Sequence, residues 1–192
     1  MDKSENIKAF EAWWEWLLSP GIEGGLSSSP YDKGNKNVSH GGTTHVGLTN
    51  MGVTLGTYLQ YAKEFGLPED RNGLIYLTKG QHKMFAWKFW TLGKCDKMPG
   101  KVAIMHADYG WGSGIGHAAI TLQRLIGVVR DGVIGPITLA KVNSIMPSLL
   151  LDTLYKERSN FLLSISTGDQ ERHRVGWQRR NDSCYQLAKS HE

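Results

Sequence analysis

Glu23 is followed directly by Gly24 and Gly25, with Asp32 nine positions downstream and a hydroxyl-bearing stretch, Gly41-Gly42-Thr43-Thr44, beyond it. Cleaving a glycosidic bond takes a carboxylic acid that protonates the leaving oxygen and a second polar group that serves the opposite face of the sugar. Both kinds of group lie in this one segment. Two glycines beside a carboxylate let a sugar ring approach the backbone, and the apolar neighbours Ile22 and Leu26 are expected to help desolvate Glu23. Desolvation raises a carboxyl pKa and keeps its proton available near neutral pH. Asp32 is the candidate second carboxylate, and Thr43 or Thr44 a hydroxyl that orients water. Each also has a plainer reading: a helix-terminal glutamate beside a glycine cap, an aspartate bonded to its own backbone in a turn, and two strand-forming threonines in a short hairpin.

Other chemistries find less support. The seven histidines include His40, His45, His106 and His117, but no His-Glu-x-x-His string and no close pair with carboxylates at ligand spacing, so no catalytic metal is expected. No Gly-x-Ser-x-Gly elbow is present for a serine nucleophile. Gly110, Gly112, Gly114 and Gly116 resemble a phosphate loop in composition alone and read better as helix breakers. Trp87, Trp90, Trp111 and Trp177, with Tyr31 and Tyr109, are candidates for stacking on sugars. Aromatics at helical spacing are more often core, so most are expected buried, with one or two lining a cleft.

These residues must be positioned by helices. Phe10, Trp13, Trp14, Leu17 and Leu18 lie on one face of a helix over 5–18, which Ser19-Pro20-Gly21 ends. Residues 22–50 are rich in Gly, Ser, Asn and Thr and read as a long loop with at most a short hairpin at 43–48. A loop of that length in a folded domain is usually functional. Helical spacing returns at 53–65, 78–92, from Pro99 to the glycines at 110–116, and at 115–126, 136–145, 147–166 and 170–189. Seven or eight helices and almost no strand signal place the chain in the all-α or mainly α class.

At 192 residues, with 40% hydrophobic and 21% charged residues, the chain has the composition of an ordinary globular protein. A soft boundary at 95–100 divides it into regions expected to pack together. The net charge of +4 favours anionic partners. The densest basic cluster, Arg172, Arg174, Arg179 and Arg180, reads as a solvated helix face or an anion patch. The charged start lacks a signal-peptide core, and no run of 18 apolar residues exists to span a membrane, so synthesis in the cytoplasm without a signal peptide is expected. Cys95 and Cys184 are the two cysteines, too few for a disulfide framework.

The order Glu-Gly-Gly, an Asp nine positions after the Glu, then Gly-Gly-x-Thr-x-x-Gly-Leu-Thr resembles glycoside hydrolase family 108, the lysozyme-like N-acetylmuramidases of phage endolysins and bacterial secretion activators. Glu23, Gly24, Gly25, Asp32, Gly41, Gly42, Thr44, Gly47, Leu48 and Thr49 carry the match. Phe89-Trp90 with Pro99, the A-D-Y-G-W-G-S-G string at 107–114 and R-V-G-W-Q-R-R at 174–180 are similar to family segments. The string L-Q-R-L-I-G-V-V-R-D-G-V-I-G-P-I-T-L at 122–139 resembles the peptidoglycan-binding segment that accompanies the family.

The resemblance implies an all-α lysozyme-like fold, with residues 1–95 catalytic and 96–192 a helical peptidoglycan-binding region. It implies that Glu23 is the general acid cleaving the β-1,4 bond between N-acetylmuramic acid and N-acetylglucosamine, Asp32 a charge stabiliser or helper of water, and Thr44 a positioner of that water. Gly24, Gly25, Gly42, Tyr31 and Trp111 are the expected substrate contacts. No cofactor and no metal are required. The expected partner is wall peptidoglycan, not nucleic acid, met by a monomer in the periplasm or wall after holin-type or other dedicated release. A lytic transglycosylase and a non-catalytic wall-binding or secretion-helper protein are the alternatives. Three departures from the pattern stand out: extra residues from about Gly34 to His40, Ser19-Pro20 interrupting the helix before Glu23, and Gly112 where Asn is usual.

Overall fold

The computed structural model describes residues 3–29, 31 and 34–191. Among them the order is α1 (Lys3–Leu17), β1 (Val38–His40), β2 (Thr43–His45), β3 (Thr49–Asn50), β4 (Val53–Thr54), α2 (Leu55–Ala62), α3 (Arg71–Ile75), α4 (Lys79–Leu92), α5 (Gly100–Ser113), α6 (Ile115–Ile126), α7 (Pro136–Asn143), α8 (Pro147–Ile165) and α9 (Arg174–Ser190). The class is mainly α, as the helical spacing requires. No helix among the described residues is long and apolar enough to cross a membrane. The start of the expected helix at 53–65 is instead strand β4, and Thr54 caps α2 by accepting from the Thr57 N–H. Segment 22–50 holds more strand than the one hairpin expected at most: β1 pairs with β2, and β3 pairs with β4.

The chain divides into two compact units, residues 14–88 and residues 1–13 with 89–192. In the 14–88 unit, Leu48, Val53, Leu55, Tyr58, Leu59, Leu74 and Phe85 are buried together with Leu17 at the end of α1. The Tyr58 and Phe85 rings stack at 5.6 Å, and Phe65 meets Phe85 edge-on at 4.9 Å. Asn50 donates to the carbonyls of Leu74 (2.9 Å) and Ile75 (3.1 Å), which ties β3 to the end of α3. His82, fully buried, accepts from the Trp14 indole N–H (3.1 Å) and lies 3.0 Å from the Met51 carbonyl through its other nitrogen. That pairing fixes the neutral tautomer with the proton on Nε2.

In the other unit, α5 is buried from Val102 to Gly110 and is packed by α6, α8 and α9. Asn6 donates to the Cys95 carbonyl (2.7 Å) and accepts from the Trp90 indole (3.1 Å), while Phe10, Trp13 and Trp90 form one aromatic cluster. Asp108, in the middle of α5, has no exposed side-chain surface and meets Arg158 of α8 at 2.6 Å and Arg180 of α9 at 2.7 Å. Arg180, half-buried, therefore leaves the basic cluster and serves as a counter-ion to the buried Asp108. Arg174 and Arg179 are exposed, as a solvated helix face expects.

Burial lowers the pKa of His82 and of His106 to about 4, with backbone acceptors at Met51 and Gly93 opposing in part. Both are neutral in the folded chain, whereas an unfolded histidine titrates near 6.5. The stability they permit is complete above pH about 6.5 and is lost as pH falls toward 4, by on the order of 3 kcal/mol for each. Urea unfolding at pH 7 and pH 4.5 checks this; replacing His106 with Gln is expected to remove roughly half of the difference, because His82 remains.

Candidate active site

The turn that carries Glu23 begins where α1 ends. Ser19 takes over the Trp16 carbonyl through both its N–H (3.0 Å) and its hydroxyl (2.6 Å), and the Ile22 N–H then bonds the Ser19 carbonyl at 3.2 Å. Pro20 cannot continue the helix, and Gly21 turns at φ +86°, a conformation that favours glycine. Glu23 thus sits, half-buried, on a bend of its own beyond α1. Four residues later the chain is pinned again, because Ser27 and Thr49 exchange two backbone hydrogen bonds of 2.8 and 2.9 Å. Gly24 and Gly25 between these anchors have open space where a Cβ would stand. Leu26 is exposed and does not shield Glu23, since its paired neighbour Ser27 takes the opposite side of the extended segment.

The extra residues before Gly41 have a structural role. Val38–His40 form β1, whose register against β2 sets Ser39 opposite Thr44 and His40 opposite Thr43. Gly41 at φ +56° and Gly42 at φ +78° make the two-residue turn, the left-handed pair that matches strand twist in a tight hairpin. Thr44 Oγ1 lies 3.2 Å from Ser39 Oγ, so its hydroxyl is held across the ladder while its side chain stays exposed. The hairpin tip is tied down by His40 Nε2, 3.2 Å from Glu69 Oε2.

Below the hairpin, Asn35 accepts from the Thr49 hydroxyl (2.8 Å) and donates to the Ser29 carbonyl (3.0 Å). Asn37 accepts from the Gly47 N–H at 3.1 Å. The backbone passes so close to Gly47 that a Cβ there would strike the carbonyl oxygens of Asn35 and Lys36. Gly47→Ala must push two backbones apart, and a loss of about 1–3 kcal/mol in urea unfolding is expected, the usual cost of overpacking.

Glu23, Gly24, Gly25, Gly42 and Thr44 therefore lie in one unit, the first segment braced on Thr49 through Ser27 and the second on Gly47 through Asn37. Tyr31 is in the same unit and is 61% exposed. Asp32 lies outside the described residues. Trp111 belongs to the other unit, half-buried against Trp13 (5.8 Å) and Phe89 (5.0 Å). Ser27, Asn35 and Asn37 brace the site and were not singled out by sequence; the density of Ser and Asn in 27–37 is the signal that was there to read.

Residues 19–114, half of the chain, match the family model described as glycosyl hydrolase 108. The chain belongs to this family. The glycosyl hydrolase 108 match contains Glu23, Asp32, Thr44 and Trp111. Residues 117–182, from α6 into α9, match a second model described as a predicted peptidoglycan domain. Among solved structures, one titled "Structure of Brucella abortus SagA" aligns with 99% of this chain and 97% of its own, at 27% identity and a TM-score of 0.74. A search among curated proteins gives no match.

Proposed function

We propose that this glycosyl hydrolase 108 member is a muramidase that hydrolyses the β-1,4 bond between N-acetylmuramic acid and N-acetylglucosamine in peptidoglycan. The observation that carries the reading is Glu23 on a glycine-flanked bend anchored at both ends, inside the glycosyl hydrolase match and ahead of a peptidoglycan-domain match. Anchors on both sides limit the wandering of the carboxyl group, and the open flank at Gly24 and Gly25 leaves room for a sugar. In this mechanism Glu23 gives its proton to the glycosidic oxygen as the bond to C1 breaks. Positive charge then develops on C1 and the ring oxygen, Asp32 stabilises it or takes a proton from water, and Thr44 orients that water. Gly42, held in the hairpin turn, and Tyr31 are the proposed sugar contacts. The reaction needs no cofactor, and the enzyme acts as a monomer in the periplasm or wall after holin-type or other dedicated release.

The reading is tested by incubating the purified chain with isolated sacculi and following turbidity and sedimentation together. Clearing is expected. Firm binding to the sacculi without clearing identifies a wall-binding or secretion-helper protein instead.

A further inference from the structure

The hairpin of β1 and β2 sorts its side chains between two faces. Side chains alternate along a strand, so Ser39 and Thr44, paired across the ladder, share one face, and Val38, His40, Thr43 and His45 share the other. The second face is the one toward α2, because the Val38 Cγ2 methyl lies 3.7 Å from where a Cβ on Gly56 would stand. Ser39 and Thr44 look away from α2, and both are exposed. Thr44 and not Thr43 therefore carries its hydroxyl on the outer face.

In a hairpin closed by a two-residue turn, the pair beside the turn, His40 with Thr43, exchanges the backbone bonds. The next pair is then the closely spaced kind, which brings the Ser39 and Thr44 hydroxyls to 3.2 Å. Among the described residues this is the one hydrogen bond of either hydroxyl. A hydroxyl has one proton to give and two lone pairs to receive. For Thr44 to accept a hydrogen bond from the attacking water, a lone pair must face that water and its own proton must go elsewhere. Ser39 Oγ is the acceptor in reach, and strand pairing fixes where it stands.

We infer that Ser39 is a positioning residue for the hydrolysis: it accepts the Thr44 proton and so turns the Thr44 lone pairs toward the incoming water. The inference rests on Thr44 being the residue that orients water, and it gives the extra residues before Gly41 a part in the reaction beyond building β1. Without that bond the Thr44 hydroxyl spreads over three staggered positions, which dilutes the productive one about threefold.

The test compares Ser39→Val with Ser39→Thr, two substitutions of matching shape and matching preference for strands that differ in the hydroxyl. Release of reducing ends from isolated sacculi is followed over a range of sacculus concentrations, with a thermal melt of each variant. Ser39→Val is expected to lose about threefold or more in maximal rate at an unchanged half-saturating concentration. Ser39→Thr is expected to keep the wild-type rate, and both variants to melt with the wild type. In a Thr44→Val background, itself slower, adding Ser39→Val is expected to have no further effect. Equal rates for Ser39→Val and Ser39→Thr, whether both full or both reduced, overturn the inference. A Ser39→Val loss that persists in full in the Thr44→Val background overturns it as well. A Thr44→Val variant as fast as the wild type overturns the role given to Thr44, and an inactive wild type overturns the hydrolase reading, two patterns distinct from the others.

Discussion

Replacing Glu23 with Gln is expected to lower wall clearing by about 10²–10⁴-fold, the usual contribution of a positioned general acid. The amide matches the carboxyl group in shape but has no proton of suitable acidity to give the leaving oxygen. Because Glu23 is half-buried on a bend outside any helix or strand, the change should cost less than about 1 kcal/mol of stability. Wall binding should persist, since the residues matched by the peptidoglycan-domain model are untouched. Glu23→Asp sharpens the test: it keeps the acid but withdraws it by one methylene, and a misplacement of that order costs about 100-fold. A zymogram and a thermal melt on the three proteins measure both effects. Equal clearing by the wild type and Glu23→Gln removes Glu23 from the mechanism.

The largest stability effect is expected at Asp108. Its carboxylate takes a 2.6 Å bond from Arg158 Nη1 and a 2.7 Å bond from Arg180 Nη2, and Arg158 also reaches the Asp108 carbonyl at 3.3 Å. Burial alone pushes the Asp108 pKa up, but the charges and hydrogen bonds of Arg180 and Arg158 outweigh it and hold it at about 2. Asp108→Asn leaves two guanidinium groups facing each other without a counter-charge, a change that costs about 3–5 kcal/mol. For a chain of this length that is a fall of roughly 6–20 °C in melting temperature. A depressed carboxylate gives its full contribution above its unfolded pKa near 3.9 and loses it as pH falls through about 2. The Asp108→Asn penalty should therefore be constant from pH 5 to 7 and shrink below pH 3. Replacing Asp108 with Leu and Arg158 with Met together should cost less than Asp108→Asn alone, because it removes the most deeply buried cation along with the anion.

The helices were legible because their apolar faces repeat at helical spacing and their ends carry local signals. Gly127, at φ +74°, stops α6, and Pro136 starts α7. The five-residue α3 was not legible: its sequence, Arg71–Ile75, has no apolar face of its own, and it is held by the Asp70 cap and by Asn50, some 20 residues earlier in the chain. Strand β1 was missed for a similar reason, since Val38, Ser39 and His40 become a strand only through pairing with Thr43–His45. At the candidate site, Glu23 and Thr44 stood out by type and spacing. Asn35 and Asn37 did not, because side-chain bonds to Ser29, Thr49 and Gly47 leave no periodic trace. Asp108 was hidden most thoroughly, as its partners lie 50 and 72 positions away.

The central claim is hydrolysis at one kind of glycosidic bond, and mass spectrometry of the fragments released from sacculi tests it most directly. Disaccharide peptides ending in reducing N-acetylmuramic acid, each carrying the mass of one added water, are the expected products. Anhydromuramyl ends would contradict the account, because they show that the sugar's own hydroxyl and not water closed the reaction. Reducing N-acetylglucosamine ends would contradict it equally, by placing the cut at the other bond of the glycan strand.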